Sequence, residues 1–267
     1  MSPEPTEARA GFGVYVYGVL PAKTASVPPD LVGLDDRHRV TVCAHEGLAA
    51  IVSRVALDEF GEERLRDNLA RPEWLEQRVR GHERVLEAFL EAPALLPLRF
   101  GAIFRGDEQV QAMLAENADA FAAALERMRG RREWSVKAFV DRQALIEQLA
   151  ASGGAGGGAR GEGHAYFARK QRERDARERA HTVAAALAEE LHETLAEAAS
   201  ADTYLPARSD APDLVLNAAY LVERAQESSF LRVVQEAARE RQPGGMRVEI
   251  TGPWPPYSFV GRDEDAP

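Results

Sequence analysis

A run of glycines near the middle of the chain sets the strongest limit on how this sequence can fold. Residues 152–163 read SGGAGGGARGEG and contain seven glycines. Glycine loses more conformational freedom on folding than any other residue, so such a run is unfavourable inside a helix or a strand. The run therefore predicts a flexible linker at residues 151–163, between one domain at 1–150 and a second at 164–267.

The same run permits a second interpretation, because Gly156, Gly158 and Gly161 have the G-x-G-x-x-G spacing of a dinucleotide-binding loop. That motif needs a strand directly before the glycines and a helix after them, so that the helix N-terminus faces the pyrophosphate. Here a helical pattern precedes the run, and the run contains more glycines than the motif uses. We therefore expect a linker and no bound cofactor.

The first 150 residues alternate between strand-like and helix-like patterns. The predicted strands are Gly13–Leu20, Arg39–Ala44, Leu48–Val55, Leu95–Phe104 and Trp134–Val140, with a hairpin turn at His45–Gly47. The predicted helices are Pro72–Leu90, Asp107–Met128 and Asp141–Ala150, the last two with an aspartate as N-cap. This order predicts an α+β sandwich with helices on one face of a mostly antiparallel sheet, nearest to a ferredoxin-like domain.

The second part begins with a predicted long helix at 162–201. Its first half is rich in arginine and its second half in glutamate, and the seam that must pack is Val183, Leu187, Leu191 and Leu195. The charged side chains fit either a solvated face or a surface for a partner or a second copy. Strand, helix and strand follow at 213–222, 226–241 and 247–251, so this part is also α+β.

The sequence contains no recognisable catalytic or metal-binding pattern. No two of the six histidines have the i,i+4 spacing of a helical metal site, and His192-Glu193 lacks the second histidine of a zinc protease motif. The single cysteine, Cys43, excludes an internal disulfide and is expected to be a packed thiol. We expect no metal and no enzymatic activity, although an unrecognised small-molecule enzyme stays open as an alternative.

An RNA-binding module is the other alternative. The segment Gly11–Tyr17 is similar to the RNP1 motif of RNA-recognition modules, with Tyr15 and Tyr17 on one strand face. The leading basic residue is missing, the motif stands on the wrong strand, and the net charge of −10 disfavours binding to phosphate. The chain also shows no secretory signal and no membrane-spanning run, so we expect a cytoplasmic protein with no membrane or nucleic-acid partner.

The C-terminal strip, Thr251–Val260 (TGPWPPYSFV), holds three prolines and three aromatic residues before an acidic end. Prolines fix φ and remove N–H donors, so the strip suits an extended path across a surface. Its aromatic side chains could anchor it on the N-terminal domain or be presented to a partner. We expect docking on the chain's own N-terminal domain, because three exposed aromatics favour aggregation.

The C-terminal strip closely resembles the C-terminal signature of the gas vesicle protein GvpF/GvpL family. Other segments resemble the family in the same order, although Phe167 stands where leucine is expected: PLRFG at 97–101, WSVK at 134–137 with Val140-Asp141, G-x-A-Y at 163–166 with Arg169-Lys170, and LNAAYLV at 216–222. The similarity spans residues 13–260. It implies a modified ferredoxin-like N-terminal domain and a C-terminal α+β domain that contains the long helix.

The resemblance also implies a function and its partners. Members of this family are non-enzymatic factors, thought to bind the very hydrophobic shell protein of gas vesicles and to help its nucleation or assembly. Other accessory proteins of the vesicle are further expected partners. We expect Arg172, Arg174 and Arg177 on the long helix to contact a partner. The remaining signature residues are expected to be structural: Arg99, Asn217, Tyr220, Trp254, Pro255, Pro256, Tyr257 and Phe259. Arg99 in particular is expected to be buried and paired.

Overall fold

The computed structural model describes residues 11–152, 162–206, 211, 213–242 and 245–260. These residues form two compact units. The first unit contains residues 11–132 together with 254–260, and the second contains the described residues between 133 and 253. The glycine run at 153–161 lies outside the described residues.

The first unit is built on one antiparallel sheet. Its strands are Phe12–Pro21 (β1), Val40–His45 (β2), Leu48–Ala56 (β3), Leu96–Pro97 (β4) and Ile103–Phe104 (β5). The order is β2-β3-β1-β4, and β5 also pairs with β1. The predicted hairpin is confirmed: Glu46 and Gly47 turn the chain with positive φ angles of 42° and 89°. The predicted strand at 95–104 is interrupted, because Gly101 has a φ of 98° between β4 and β5.

Helices cover both faces of this sheet, so the expectation of helices on one face is wrong. One face packs on Leu57–Phe60 (α1), Glu62–Leu69 (α2) and Pro72–Glu87 (α3), and the other on Asp107–Glu116 (α4) and Ala118–Met128 (α5). The reason lies in β1. Val14 and Val16 belong to the core under α4 and α5, while Tyr15 and Tyr17 belong to the core under α3. Alternate side chains of a strand point to opposite faces, so both faces of β1 need a cover.

The second unit holds the other sheet. Its strands are Arg131–Val140 (β6), Ala201–Tyr204 (β7), Leu214–Glu223 (β8) and Met246–Trp254 (β9), in the order β7-β8-β6-β9. Its helices are Arg142–Ser152 (α6), Glu162–Ala196 (α7) and Glu227–Arg241 (α8). Alternate residues of β6 and β8, among them Val136, Val140 and Tyr220, form its core with residues of α7 and α8.

The boundary between the two units differs from the sequence-based expectation. The sequence pattern predicts an N-terminal domain that includes residues 133–150, whereas the N-terminal segment of the first unit ends at Arg132. The reason is that β6 lies between β8 and β9, so its hydrogen bonds tie it to strands that come later in the chain. A strand pattern in the sequence shows that a strand forms but does not show which strands it pairs with.

Two aspartates were predicted to cap helices, and one of them does. Asp141 Oδ1 accepts a hydrogen bond of 2.9 Å from the backbone N–H of Ala144, in the first turn of α6. Asp107 lies one position inside α4, because Gly106 is the N-cap there and makes no side-chain bond. The predicted helix at 107–128 is divided at Asn117, whose side-chain amide donates to the Met113 carbonyl at 2.8 Å.

Replacement of the Asp141 cap should destabilise α6. We expect Asp141→Ala to lower the free energy of unfolding by about 1 kcal/mol, because the Ala144 N–H loses its acceptor. Asp141→Asn keeps a side-chain oxygen at the same place and should change the value by less than about 0.5 kcal/mol. Urea denaturation of the three proteins measures the difference, and equal losses for both variants would contradict the capping role.

Candidate functional site

The end of the C-terminal strip belongs to the first unit. Tyr257 packs against the core under α3, with its ring centroid 6.2 Å from that of His82, and Val260 packs against the core under α4 and α5. Phe259 is buried, as are Pro255 and Pro256. Trp254 is the most accessible aromatic residue of the strip, at 36% exposure. The strip therefore places two of its three aromatic side chains against the first unit.

The aromatic residues of β1 form a buried hydrogen-bonded cluster. The Tyr15 hydroxyl lies 2.9 Å from His82 Nδ1 and accepts a bond from the Gly101 N–H at 3.0 Å. The Tyr17 hydroxyl lies 2.7 Å from the Ser53 hydroxyl. Neither tyrosine is accessible to solvent. Stacking of nucleic-acid bases needs exposed rings, so the feature that suggested an RNA-binding module is part of the core.

Burial also acts on the charge of His82. The imidazole is enclosed by the rings of Tyr15, Tyr17, Phe100 and Tyr257. Burial lowers its pKa from 6.5 to about 4, against a smaller opposing effect of the Leu98 carbonyl. His82 is therefore neutral at physiological pH, and its Nδ1 can accept a hydrogen bond from the Tyr15 hydroxyl.

The exposed arginines of α7 lie on a face of mixed charge. Arg174 pairs with Glu178 at 3.2 Å, and Arg177 is exposed. Arg172 lies on α7, and its side chain is outside the described part. The first half of the helix is thus not a uniformly basic surface, because the carboxylate of Glu178 offsets the positive charge of Arg174.

The buried face of α7 differs in part from the predicted seam. Leu191 and Leu195 are fully buried, as predicted, whereas Val183 and Leu187 are only half-buried. The buried positions along the middle of the helix are alanines: Ala176, Ala180, Ala184 and Ala188. Small side chains let a neighbouring element come close, and α6 is a major neighbour of α7.

Two signature residues of β8, Tyr220 and Asn217, form hydrogen bonds with α7 and with the segment that follows it. The Tyr220 hydroxyl lies 2.9 Å from His192 Nδ1, and His192 Nε2 lies 3.2 Å from the Asp202 carboxylate on β7. The Asn217 amide donates to the Pro206 carbonyl at 2.8 Å. Burial raises the pKa of Tyr220, so its hydroxyl keeps its proton. The sequence offered no signal for His192, because no nearby residue marks the bonds that its ring makes.

The prediction that Arg99 is buried and paired is wrong. Its side chain is exposed, because the chain turns between β4 and β5 and does not continue as a strand. A buried arginine of the first unit is instead Arg78 on α3. The sequence pattern does not distinguish Arg78 from the exposed arginines. Its guanidinium lies 2.7 Å from Glu59 and donates to the Leu34 carbonyl at 3.0 Å. A charge that is buried and paired in this way is costly to disrupt.

Two cavities within the described residues are lined partly by arginine side chains. A groove of about 550 Å³ between α8 and β9 is lined partly by Arg239 and Arg247. A second cavity, of about 320 Å³, is lined partly by His38, Arg39 and Arg54. His38 there is bonded to Asp35 at 2.5 Å, and Asp35 also accepts two backbone N–H groups of the same loop. The bond between His38 and Asp35 therefore has a structural role, because it holds this loop together.

Cys43 is buried and fits a structural role. Burial raises the pKa of the Cys43 thiol, which disfavours the reactive thiolate. Across the described ranges, no group of three or more His, Cys, Asp or Glu side chains is placed to hold a metal ion. None of the described helices is both long enough and apolar enough to cross a membrane.

Comparison with known proteins gives consistent matches. Residues 13–261 match the family described as "Gas vesicle synthesis protein GvpL/GvpF". Gas vesicle protein L of Streptomyces sp. (strain CB03234) is 35% identical over 94% of this chain and 94% of its own length. Gas vesicle protein F of the same strain is 27% identical over 93% of this chain and 100% of its own length.

Solved structures show a similar fold. The crystal structure of GvpF from Anabaena sp. PCC7120 matches with a TM-score of 0.69 at 22% identity, covering 96% of this chain and 99% of that chain. The structure of GvpF from Microcystis aeruginosa matches with a TM-score of 0.65 at 24% identity, covering 93% and 98%. The expected α+β fold is confirmed.

The buried state of His82 makes stability depend on pH. Between about pH 6.5 and 4 the unfolded chain binds a proton at His82 that the folded chain does not bind. The free energy of unfolding should therefore be highest above this window. It should fall by roughly 3 kcal/mol as the pH is lowered through the window.

Two variants test this pH dependence. His82→Gln keeps a polar group near Tyr15 but does not titrate, so its unfolding free energy should change less between about pH 7 and 4.5. His181→Gln, at an exposed position of α7, should keep the dependence of the parent chain. A fall of the same size in His82→Gln would exclude His82 as its source. Chemical denaturation at several pH values provides the measurement.

Proposed function

The chain belongs to the gas vesicle synthesis protein GvpL/GvpF family, and we propose that it is a non-enzymatic assembly factor that binds the hydrophobic shell protein. The single observation that carries this function is the family match, which covers residues 13–261. The protein would work in the cytoplasm and associate with gas vesicles. Other accessory proteins of the vesicle are further proposed partners.

The physical task of such a factor is to cover apolar surface. A shell protein that assembles through apolar contacts aggregates if those contacts stay open before it joins the wall. A binder that covers them gains roughly 25 cal/mol per Å² of apolar area buried, less the cost of ordering both partners. Binding must remain reversible, because the shell protein has to be released into the wall.

We propose α7 as one contact surface. Arg172, Arg174 and Arg177 stand on its first half, and the last two have exposed side chains. Exposed arginines can steer a partner that carries an acidic patch, while apolar contact supplies affinity. The ion pair between Arg174 and Glu178 reduces the available charge, so we expect steering and orientation from these residues and not most of the binding energy.

Charge reversal on α7 tests this contact. We expect the triple variant Arg172→Glu, Arg174→Glu, Arg177→Glu to bind purified shell protein less tightly, most evidently at low salt, because salt screens exposed charges. The matched control is Arg64→Glu, Arg66→Glu, Arg71→Glu, three exposed positions in and just after α2 of the first unit. It changes the net charge by the same amount but should weaken binding less.

The outcomes show separately whether the chain binds the shell protein and whether α7 is the contact surface. Unchanged binding of the α7 variant at both salt concentrations would remove this helix as the contact. Equal weakening by both triple variants would show a general effect of net charge. Absence of binding by the parent chain itself would reject the proposed function. Circular dichroism confirms that each variant is folded before binding is measured.

A further inference from the structure

The outer edge of β2 is open in the described part of the chain. In the hairpin, β2 pairs with β3 on one side, with Val40 opposite Ser53 and Val42 opposite Ile51. The N–H of Val40 points away from β3, because it donates to the Leu31 carbonyl at 2.9 Å. Backbone groups alternate in direction along an antiparallel strand, so those of Val42 and Ala44 also point away from β3.

Among the described residues, none covers this edge by backbone pairing from Val42 onward. Leu31 and Val32 shield the beginning of β2, through the bond to Val40 and a bridge between Val32 and Arg39. No backbone hydrogen bond within the described ranges reaches the outward groups of Val42 or Ala44. The side chains of both residues are exposed, and Val42 is 36% accessible. Two N–H donors and two carbonyl acceptors are therefore available there.

The other sheet edges of the described part carry features that discourage strand pairing. β4 and β5 have two residues each, β7 has four and includes Asp202, and β9 carries Arg247, Glu249 and Pro253. Short length, charge and proline are the usual protections of an edge strand. β2 has six residues, VTVCAH, with no Asp, Glu, Lys, Arg or Pro. An edge of this kind is suited to pairing with another strand.

We propose that the outer edge of β2 binds an extended apolar segment of the shell protein as an additional strand of the first sheet. This strand addition rests on the shell-protein binding proposed above and specifies how the partner is held. Main-chain hydrogen bonds from Val42 and Ala44 fix the register, and the exposed Val42 side chain adds apolar contact. β2 belongs to the first unit, whereas α7 belongs to the second.

The chemistry of the edge favours this occupant over a second copy of the chain. Two copies each carry a formal charge of −10 and repel each other, whereas an uncharged apolar segment meets no such barrier. An apolar segment also gains from the pairing itself. When its side chains leave water, its backbone N–H and C=O groups need partners, and an open edge supplies them.

Residue-resolved hydrogen exchange tests the strand addition directly. In the free chain the amides of Thr41 and Cys43 should exchange slowly, because β3 protects them, while those of Val42 and Ala44 should exchange fast. With purified shell protein added, Val42 and Ala44 should become protected by about tenfold or more. Protection gained at alternate residues indicates a new neighbouring strand, because only the outward amides acquire a hydrogen-bond partner.

Proline substitution provides the second test. Val42→Pro removes an outward donor but leaves the ladder to β3 intact, since proline is tolerated where the N–H of an edge strand faces solvent. We expect about tenfold weaker binding of shell protein for Val42→Pro. Val42→Thr keeps the N–H and a branched side chain and should bind within about twofold of the parent. If Val42→Pro does not fold, the exchange experiment on the parent chain decides alone.

The results separate this inference from the proposed function. Shell protein that binds with no gain of protection at Val42 and Ala44 would overturn the strand addition and leave the assembly role intact. No binding by the parent chain would reject both. The amides of Val42 and Ala44 could also be protected in the free chain, with protection that increases with protein concentration. That result would identify a second copy of the chain as the occupant and would overturn the strand addition.

Discussion

Burial of β1 on both faces is the constraint on which the first unit depends. The strand pairs with β3 on one side and with β4 and β5 on the other, so its backbone is satisfied within the sheet. Its valines and tyrosines alternate, and each set needs its own cover of helices. The tyrosine hydroxyls bring a further requirement, because a buried hydroxyl without a hydrogen bond is costly. His82 and Ser53 meet that requirement from α3 and β3.

The same cluster explains the composition of the C-terminal strip. The ring of Tyr257 lies among the rings that surround His82, and Phe259, which follows in the strip, is buried. Residues 255–260 follow the end of β9 and form no strand, so this part of the strip must hold its position by side-chain packing. Prolines reduce the freedom that the segment loses on docking, and aromatic residues bury much area for few rotatable bonds. From Trp254 onward the strip is therefore part of the fold of the first unit, although it lies at the far end of the sequence.

The sequence predicted individual elements better than their arrangement. Strands at β1, β2, β3 and β8 and helices at α3, α6, α7 and α8 follow from local periodicity, which needs no tertiary information. The helices on both faces, the place of β6 in the second sheet and the exposure of Arg99 each depend on which segments meet. Strand β7 was missed because four residues, ADTY, hold too little alternation to be recognised. The buried pair of Arg78 and Glu59 left no local signal either.

The candidate contacts with the shell protein show the same difference between local pattern and arrangement. Arg172, Arg174 and Arg177 stand out in the sequence because charge runs are visible there. The open edge of β2 becomes visible only when its neighbours are known, because VTVCAH would equally suit a central strand. The two contacts would also contribute differently to binding. Exposed charge on α7 acts over several ångströms and affects mainly the rate of encounter, whereas main-chain pairing at β2 acts at contact and affects mainly dissociation. For the proposed assembly role, a partner that is steered quickly but held by a few hydrogen bonds could still be released into a growing wall.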